Sequence, residues 1–296
     1  DMPEHATTFI VTMNVLPIAK KAAILKALTD GASIRSTARI TGVSKATILR
    51  LLVEVGEFCS IYQGERFYHL PCTRVEFDGI WAYVGAKQKN AKHEGQGDIW
   101  THTALCPDTK LMVTWYVGAQ GTEDIRTFMR DLAGRFDHRI SLSSDGSSFY
   151  AAAVEEAFGY QSVDYGQIIK YFKAGQPSTG RYSPPECTGV DRKTMLGRPD
   201  VKKISTSYVE RSNFHLRMNA RRFTRLTNGF SRKAENHAHA VSMHFMAYNY
   251  VRPHGTLTKA AKGVHTTPAM AAGLTDHVWT WEEALDLMNP VSVTIK

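Results

Sequence analysis

TRVEFDGIWAYVGA, residues 73–86, is rich in β-branched and aromatic side chains and is the segment that bears most directly on the fold class. Two similar segments follow, DIWTHTALC at 98–106 and KLMVTWYVG at 110–118, and turn-forming residues separate all three. Short segments of this composition, bounded by turns, are typical of β-strands. They therefore predict three strands that lie side by side in a meander.

The order of the elements after this meander predicts an α/β fold. TEDIRTFMRDLAGRF predicts a helix, RISLSSD a strand, SSFYAAAVEEAFG a helix and VDYGQIIKYF a strand. This β-β-β-α-β-α-β order favours a mixed sheet flanked by helices. Residues 174–204 are rich in Gly, Pro and Lys and predict a long exposed insertion. Two further helices, from about Thr206 to Leu226 and from about Ser231 to Tyr250, complete a domain at 74–252, and a C-terminal extension follows at 253–296.

Residues 18–56 predict a separate all-α domain of the helix-turn-helix type. Ala38 precedes Gly42 by four residues, and Ile48 and Leu51 follow Gly42 at six and nine. This spacing puts a small side chain where two helices cross, a glycine in the turn, and apolar residues on the facing side of the second helix. A generic helical hairpin has a similar pattern and is the alternative. Four residues would face outward and contact DNA, namely Ser44, Lys45, Thr47 and Arg50.

The segments on either side of the predicted all-α domain show no clear helical or strand periodicity in their apolar residues. Residues 1–17 predict an unstructured lead-in, and residues 57–73 predict a linker to the sheet domain.

The composition favours a globular protein that binds polyanions. The 296 residues include 36 Lys and Arg against 28 Asp and Glu, a formal charge of +8, and 43% are hydrophobic. A basic surface of this kind attracts nucleic acid. No apolar run approaches the roughly 20 residues that span a bilayer, so we expect no membrane association and a cytoplasmic, nucleoid-associated location. Four widely spaced cysteines predict free thiols, with a zinc site at Cys59, His69 and Cys72 as a weaker alternative.

Three acidic residues occupy positions that suit metal-dependent phosphodiester chemistry. Asp78 lies in the middle of the first predicted strand, Asp145 ends a later strand, and Glu210 lies near the start of a predicted helix. Two divalent ions about 4 Å apart need a few converging carboxylates, and Mg²⁺ prefers oxygen ligands. The ordinary alternatives are a solvated strand residue, a turn aspartate and an intrahelical charge, respectively.

The helix with Glu210 places two more polar side chains on one stripe. Asn213 is three residues and Arg217 seven residues beyond Glu210, so all three share a helical face. A carboxylate, an amide and a guanidinium on one stripe can hold a metal and a phosphate together.

These residues occur within segments that resemble a known family. RVEFDGIWAYVGAKQKN, SLSSDG, TSYVERSNFHLRMNARRFTRLTNGFSRK and YNYVRPHGTL look like segments of the insertion-sequence-one transposase family, within the ribonuclease-H-like transposases and integrases. The resemblance runs from the helix-turn-helix to about Trp279. It implies a ribonuclease-H-like fold, with Asp78, Asp145 and Glu210 as a catalytic triad that binds two Mg²⁺ or Mn²⁺ ions. It further implies that Arg217 contacts DNA near the cleaved bond beside Asn213, and that Arg221, Arg222 and Arg225 contact phosphates of the transposon end.

The expected function is that of a DNA transposase. It would hydrolyse a phosphodiester at the transposon end, and the freed 3′-hydroxyl would attack target DNA, with double-stranded DNA as partner and without a nucleotide cofactor. Synapsis of two ends implies at least a dimer. Two alternatives stay open, a nuclease that cleaves without joining and a catalytically impaired DNA-binding protein derived from such an enzyme.

Overall fold

A six-stranded mixed sheet forms the centre of the protein, in a computed structural model that describes residues 16–173, 186–224 and 227–288. The spatial order is β3-β2-β1-β4-β5-β6. The strands are β1 Arg74–Val84, β2 Gly97–Leu105, β3 Met112–Gly118, β4 Ile140–Asp145, β5 Val163–Phe172 and β6 Cys187–Leu196. β1 to β3 form the predicted antiparallel meander, β4 is parallel to both β1 and β5, and β6 is antiparallel to β5. This mixed sheet flanked by helices is consistent with a ribonuclease-H-like arrangement.

Helices cover both faces of the sheet because side chains alternate along each strand. Phe77 of β1 packs against Phe128 and Tyr150, which belong to α4 (Thr122–Ala133) and α5 (Ser148–Ser162). Ile80 of β1, on the opposite face, shares a second core with residues of α6 (Ser207–Asn219) and α7 (Ala234–Met246). Asp78 has the parity of Ile80 and therefore lies on the α6 face.

Three N-terminal helices form where the sequence predicts an all-α segment, at α1 Ile18–Thr29, α2 Ile34–Thr41 and α3 Lys45–Arg66, the last longer than predicted. Gly42 ends α2 with a φ of 68°, and Ile48 and Leu51 are buried. The prediction of a separate domain at 18–56 is not confirmed, because α3 packs along α7 and its apolar residues belong to a core cluster that also includes sheet residues.

α3 does not end at Gly56, so the predicted linker at 57–73 is wrong over its first half. Gly56 is an interior helical residue whose missing side chain lets α7 approach. A Cβ atom at Gly56 would lie 2.4 Å from the Cβ and 2.7 Å from the Cα of His239. The helix ends ten residues later, where the Arg135 guanidinium donates to the carbonyl oxygens of Gly64 (2.6 Å) and Phe67 (3.2 Å).

The predicted insertion at 174–204 is in part an element of the sheet. Residues 187–196 form β6, which pairs with β5 along its length. β6 is mostly exposed, with Leu196 its buried residue, so it lacks the apolar alternation by which strands are recognised. Residues 174–185 of the predicted insertion lie outside the described residues.

The two helices predicted after the insertion are shorter than expected. α6 ends at Asn219 and is followed by a 3₁₀ turn at Arg221–Phe223, and α7 passes at Met246 into one π-helical turn, Ala247–Val251. Asn249 in this turn is fully buried and exchanges hydrogen bonds with the backbone of Met112, at 3.0 and 3.1 Å, and with Gln63 of α3, at 3.0 Å.

The predicted C-terminal extension packs back onto the protein. It contains α8 Gly255–Ala260, α9 Pro268–Ala271 and α10 Trp281–Met288. Trp279 packs on Tyr250 with ring centroids 4.5 Å apart, and α10 contacts α1. Within the described ranges, no helix is long and apolar enough to cross a membrane. The predicted lead-in falls outside these ranges except for residues 16 and 17.

Candidate active site

Two aspartates lie at matching positions of neighbouring parallel strands. β1 and β4 pair in a register that sets Glu76 opposite Ser143. The same register, extended by two residues, sets Asp78 opposite Asp145. Both side chains face α6, since Val75 and Leu142, which pair one step earlier, both belong to the core on the other face. Neighbouring strands are about 4.8 Å apart, so the fold brings these two carboxylates together where β4 ends and its parallel pairing with the middle of β1 stops. Open α/β sheets bind ligands beyond the carboxyl end of a strand such as β4.

Asn213 connects α6 to the first of these aspartates. Its Nδ2 donates to the Asp78 carboxylate at 3.0 Å, and its Oδ1 accepts from Thr103 Oγ1 at 3.1 Å. Thr103 is the β2 partner of Asp78. The hydroxyl therefore fixes the orientation of the amide so that its N–H group points to the carboxylate.

Glu76 positions the start of α6 and was missed by sequence reasoning. Its buried carboxylate accepts hydrogen bonds from the backbone N–H groups of Tyr208 (2.7 Å) and Val209 (3.1 Å). Burial raises the pKa of Glu76, and these two bonds oppose the rise. The side chain of Thr206 does not cap the helix, so Glu76 supplies the capping acceptor from another element. One link thus ties the strand with Asp78 to the helix with Glu210.

Glu210 lies over the ends of β4 and β5. Thr206 Oγ1 donates to its Oε1 at 2.6 Å, and Lys170 Nζ forms an ion pair with the same oxygen. Lys170 is two residues beyond Ile168, the β5 partner of Asp145, so it shares the sheet face of the acids. Sequence reasoning missed Lys170 too, because its place beside the acids depends on the register of β4 with β5, which the sequence does not reveal.

Negative charge is concentrated at this site, and burial together with this charge raises the pKa of two of the acids. Burial, and then the charge of Asp145, raise the pKa of Asp78 to about 6, against the opposing bonds from the Gly79 and Asn213 N–H groups. Burial and the charge of Glu210 raise the pKa of Asp145, while the Ser147 N–H group and Lys170 lower it. Carboxylates that disfavour each other's ionised form make a site that attracts cations.

The oxygen ligands of the three acids suit a hard divalent cation, but the three side chains do not converge on one point. Asp78, Asp145 and Glu210 offer only oxygen ligands, which Mg²⁺ and Mn²⁺ accept. Over the described part of the chain, however, no group of three or more His, Cys, Asp or Glu side chains is placed to hold one ion. The two aspartates face each other across adjacent strands, whereas Glu210 is turned to Lys170 and Thr206.

A cavity of about 190 Å³ opens beside Asp78 and Glu210. Asn213 and Arg217 line it, and Arg217 is half-buried. A larger cavity, about 310 Å³, lies among α3, β3 and α4 and shares no lining residue with the first. It contains the Arg135 and Asp131 ion pair and none of the three acids.

The other predicted DNA-binding residues differ in how they are placed. Lys45 and Arg50 are exposed on α3, whereas Ser44 Oγ caps this helix by accepting from Thr47 N–H at 3.2 Å, and the two hydroxyls are hydrogen-bonded. Arg221 is exposed. Arg225 lies outside the described residues.

Arg222 faces the interior, against the prediction that it contacts phosphate. Its guanidinium donates to Ser231 Oγ at 2.9 Å, and burial lowers its pKa to about 10. The 3₁₀ turn that follows α6 redirects this side chain, because a continued helix would have given it a different face.

Neither a protein-family model nor a curated relative matches the chain. Among solved structures, it is similar to the crystal structure of a pre-cleavage Mos1 transpososome, with a TM-score of 0.23 and 14% identity. The match covers 56% of this chain and 61% of that chain. A likeness this distant carries no argument, so the functional conclusion depends on the geometry of the site.

Proposed function

We propose that this chain is a DNA transposase of the insertion-sequence-one type that cleaves transposon ends and joins them to target DNA. The observation that carries the proposal is the position of Asp78 and Asp145 on one face of adjacent parallel strands, two residues beyond the pair Glu76 and Ser143, beneath the helix that bears Glu210. An ordinary α/β core does not require three acids on one sheet face, and the half-buried Asp78 carries a cost that a bound cation would offset.

Asp78, Asp145 and Glu210 would hold two Mg²⁺ or Mn²⁺ ions. When bound, these ions would supply an activated oxygen nucleophile and stabilise the leaving oxygen. Water would attack the phosphorus at the transposon end, the P–O3′ ester bond on the other side would break, and the departing 3′ oxygen would take up a proton. The free 3′-hydroxyl would then attack a target phosphodiester with loss of its proton, so each step exchanges one P–O bond for another.

The remaining residues of the site would bind and orient DNA. Asn213 holds Asp78 in place through the Nδ2 bond. Arg217, which lines the cavity with Asp78 and Glu210, would bind the phosphate next to the cleaved bond. Lys45 and Arg50 on α3 and Arg221 after α6 would add phosphate contacts, and the formal charge of +8 supports such salt-sensitive binding. Two copies would bring two ends together.

A joining assay tests the proposal. Labelled duplexes that contain the DNA flanking the gene of this chain would be incubated with the protein, Mn²⁺ and a plasmid target. We expect cleaved and joined products from the unaltered chain, and a fall of at least about a thousandfold in the rate of product formation in Asp78→Asn, Asp145→Asn and Glu210→Gln. Glu65→Gln, which alters an exposed acid of α3, is the matched control and should retain activity.

Other outcomes would point to the alternatives. Cleavage without joined product would indicate a nuclease. Binding of the duplexes with no metal-dependent product from any variant would indicate a DNA-binding protein without catalysis, and equal activity in Asp78→Asn would overturn the assignment of the site.

A further inference from the structure

The ion pair between Lys170 and Glu210 lies within the acid site itself. Lys170 reaches Glu210 from β5, and its side chain is only 30% exposed, against 42% for Glu210. The ammonium therefore lies beside Glu210 and within electrostatic reach of Asp145, where a divalent cation is expected. It bonds the same oxygen, Oε1, that Thr206 already contacts.

We propose that Lys170 is a built-in counter-cation that replaces a metal ion at Glu210 while the protein is metal-free, and that metal binding must displace it. This inference rests on the proposed function. It accounts for the absence of a converged group of three acids among the described residues, because Glu210 is engaged by the ammonium instead of facing the two aspartates.

Competition follows from charge and from ligand geometry. An ammonium and a divalent ion on one carboxylate oxygen repel each other, and Mg²⁺ needs a regular set of oxygen ligands, which an ammonium without a lone pair cannot join. Lys170 also lies close enough to Asp145 to stabilise its ionised form. By occupying Glu210, the lysine weakens the first metal-binding step.

Once displaced, the ammonium stays at the edge of the site. The four-carbon stem of a lysine swings its charge easily, and the nearest anion would then be a phosphate of the bound strand. Metal binding and DNA binding would accordingly favour each other through this one side chain.

The same hairpin offers a matched control. Lys173 and Glu186 form an ion pair at 3.7 Å with both side chains well exposed, at 62% and 72%. Lys173→Met removes the same charge from the same hairpin as Lys170→Met does. It therefore corrects for any general effect of net charge on metal affinity.

Calorimetric titration of the full chain with Mn²⁺, in the absence of DNA, gives the first readout. Lys170→Met should bind Mn²⁺ about tenfold more tightly than the unaltered chain, whereas Lys173→Met should lie within about twofold of it. Lys170→Arg keeps a cation on the residue and should resemble the unaltered chain. Circular dichroism confirms that each variant is folded.

Binding of a fluorescent duplex in saturating Mn²⁺ gives the second readout. Lys170→Met should lower the dependence of log affinity on log salt by about one unit, as expected for one lost phosphate contact. An affinity for Mn²⁺ in Lys170→Met equal to or weaker than that in Lys173→Met would overturn the inference.

Failure of the inference can be told from failure of the proposed function. If Asp78→Asn and Asp145→Asn abolish Mn²⁺ binding but Lys170→Met does not strengthen it, the metal site stands and the role of Lys170 is wrong. If neither aspartate variant alters Mn²⁺ binding, the metal site itself is wrong.

Discussion

Replacing Gly56 with alanine should destabilise the protein, although alanine is the better helix former. Gly56 lies inside α3, where alanine would by itself stabilise the helix by about 1 kcal/mol. The added Cβ, however, would lie 2.4 Å from the Cβ, 2.7 Å from the Cα and 2.8 Å from the carbonyl oxygen of His239. Carbon atoms in favourable contact are about 3.5–4.0 Å apart.

The size of the effect follows from which atoms clash. Two of the three are backbone atoms of α7, which cannot rotate away, so α3 and α7 have to separate by roughly 1 Å. Overpacking costs about 1–3 kcal/mol, and a backbone clash favours the upper end. After subtraction of the helix gain, Gly56→Ala should lower the free energy of unfolding by about 2 kcal/mol, or the melting temperature by roughly 4–8 °C.

Gly64 of the same helix is the matched control. A Cβ at Gly64 would meet no atom within 4 Å. Gly64→Ala should therefore raise the free energy of unfolding by up to about 1 kcal/mol. Urea unfolding followed by circular dichroism measures both variants, and the reasoning is refuted if Gly56→Ala is as stable as Gly64→Ala.

Three further substitutions test the site and its supports. Glu76→Ala leaves the Tyr208 and Val209 N–H groups without their acceptor and should cost about 2–4 kcal/mol in urea unfolding, whereas Glu65→Ala should change little. The pKa of Asp78 is about 6 in the folded protein, above its ordinary value of 3.8. Between pH 3.8 and about pH 6 the folded state therefore binds more protons than the unfolded state, so the free energy of unfolding falls as the pH rises through this window. Metal-free Asp78→Asn should therefore gain up to about 3 kcal/mol at pH 7 and nothing below pH 4, and a pH-independent difference would contradict this assignment. Asn249→Ala leaves the backbone N–H and C=O groups of Met112 and Gln63 Oε1 without their hydrogen-bond partner. The free energy of unfolding, measured by thermal melting, should fall by about 3 kcal/mol, and a loss below about 1 kcal/mol would contradict this expectation.

Local pattern was sufficient for the parts of the fold whose burial shows in their composition. β1, β2 and β3 are largely buried strands with aromatic and β-branched side chains, and their meander is found where predicted. The strand positions of Asp78 and Asp145 also match the prediction, the first within β1 and the second at the end of β4. The parallel pairing of β1 with β4, which brings the two together, was not predicted.

The remaining features depend on contacts between distant parts of the chain. Gly56 has the local appearance of a helix terminator, and only the approach of α7 explains why a glycine lies within α3. β6 is exposed and therefore has no apolar period to detect. Glu76 acts on backbone groups 132 and 133 residues further along, and the ion pair of Lys170 with Glu210 spans 40 residues. Neither contact can be predicted from the residues that flank these side chains in the sequence.

The unbroken course of α3 gives the proposed transposase a fixed molecular ruler. Its 22 residues extend about 33 Å from the Ser44 end, and its far half is held by α7 and by the sheet domain. Bases read at the free end would then lie at a set number of base pairs from the bond that is cut. A DNA end lengthened by half a helical turn between these two points would present the wrong side of the duplex to the acids, even though every base that the helix reads is unchanged.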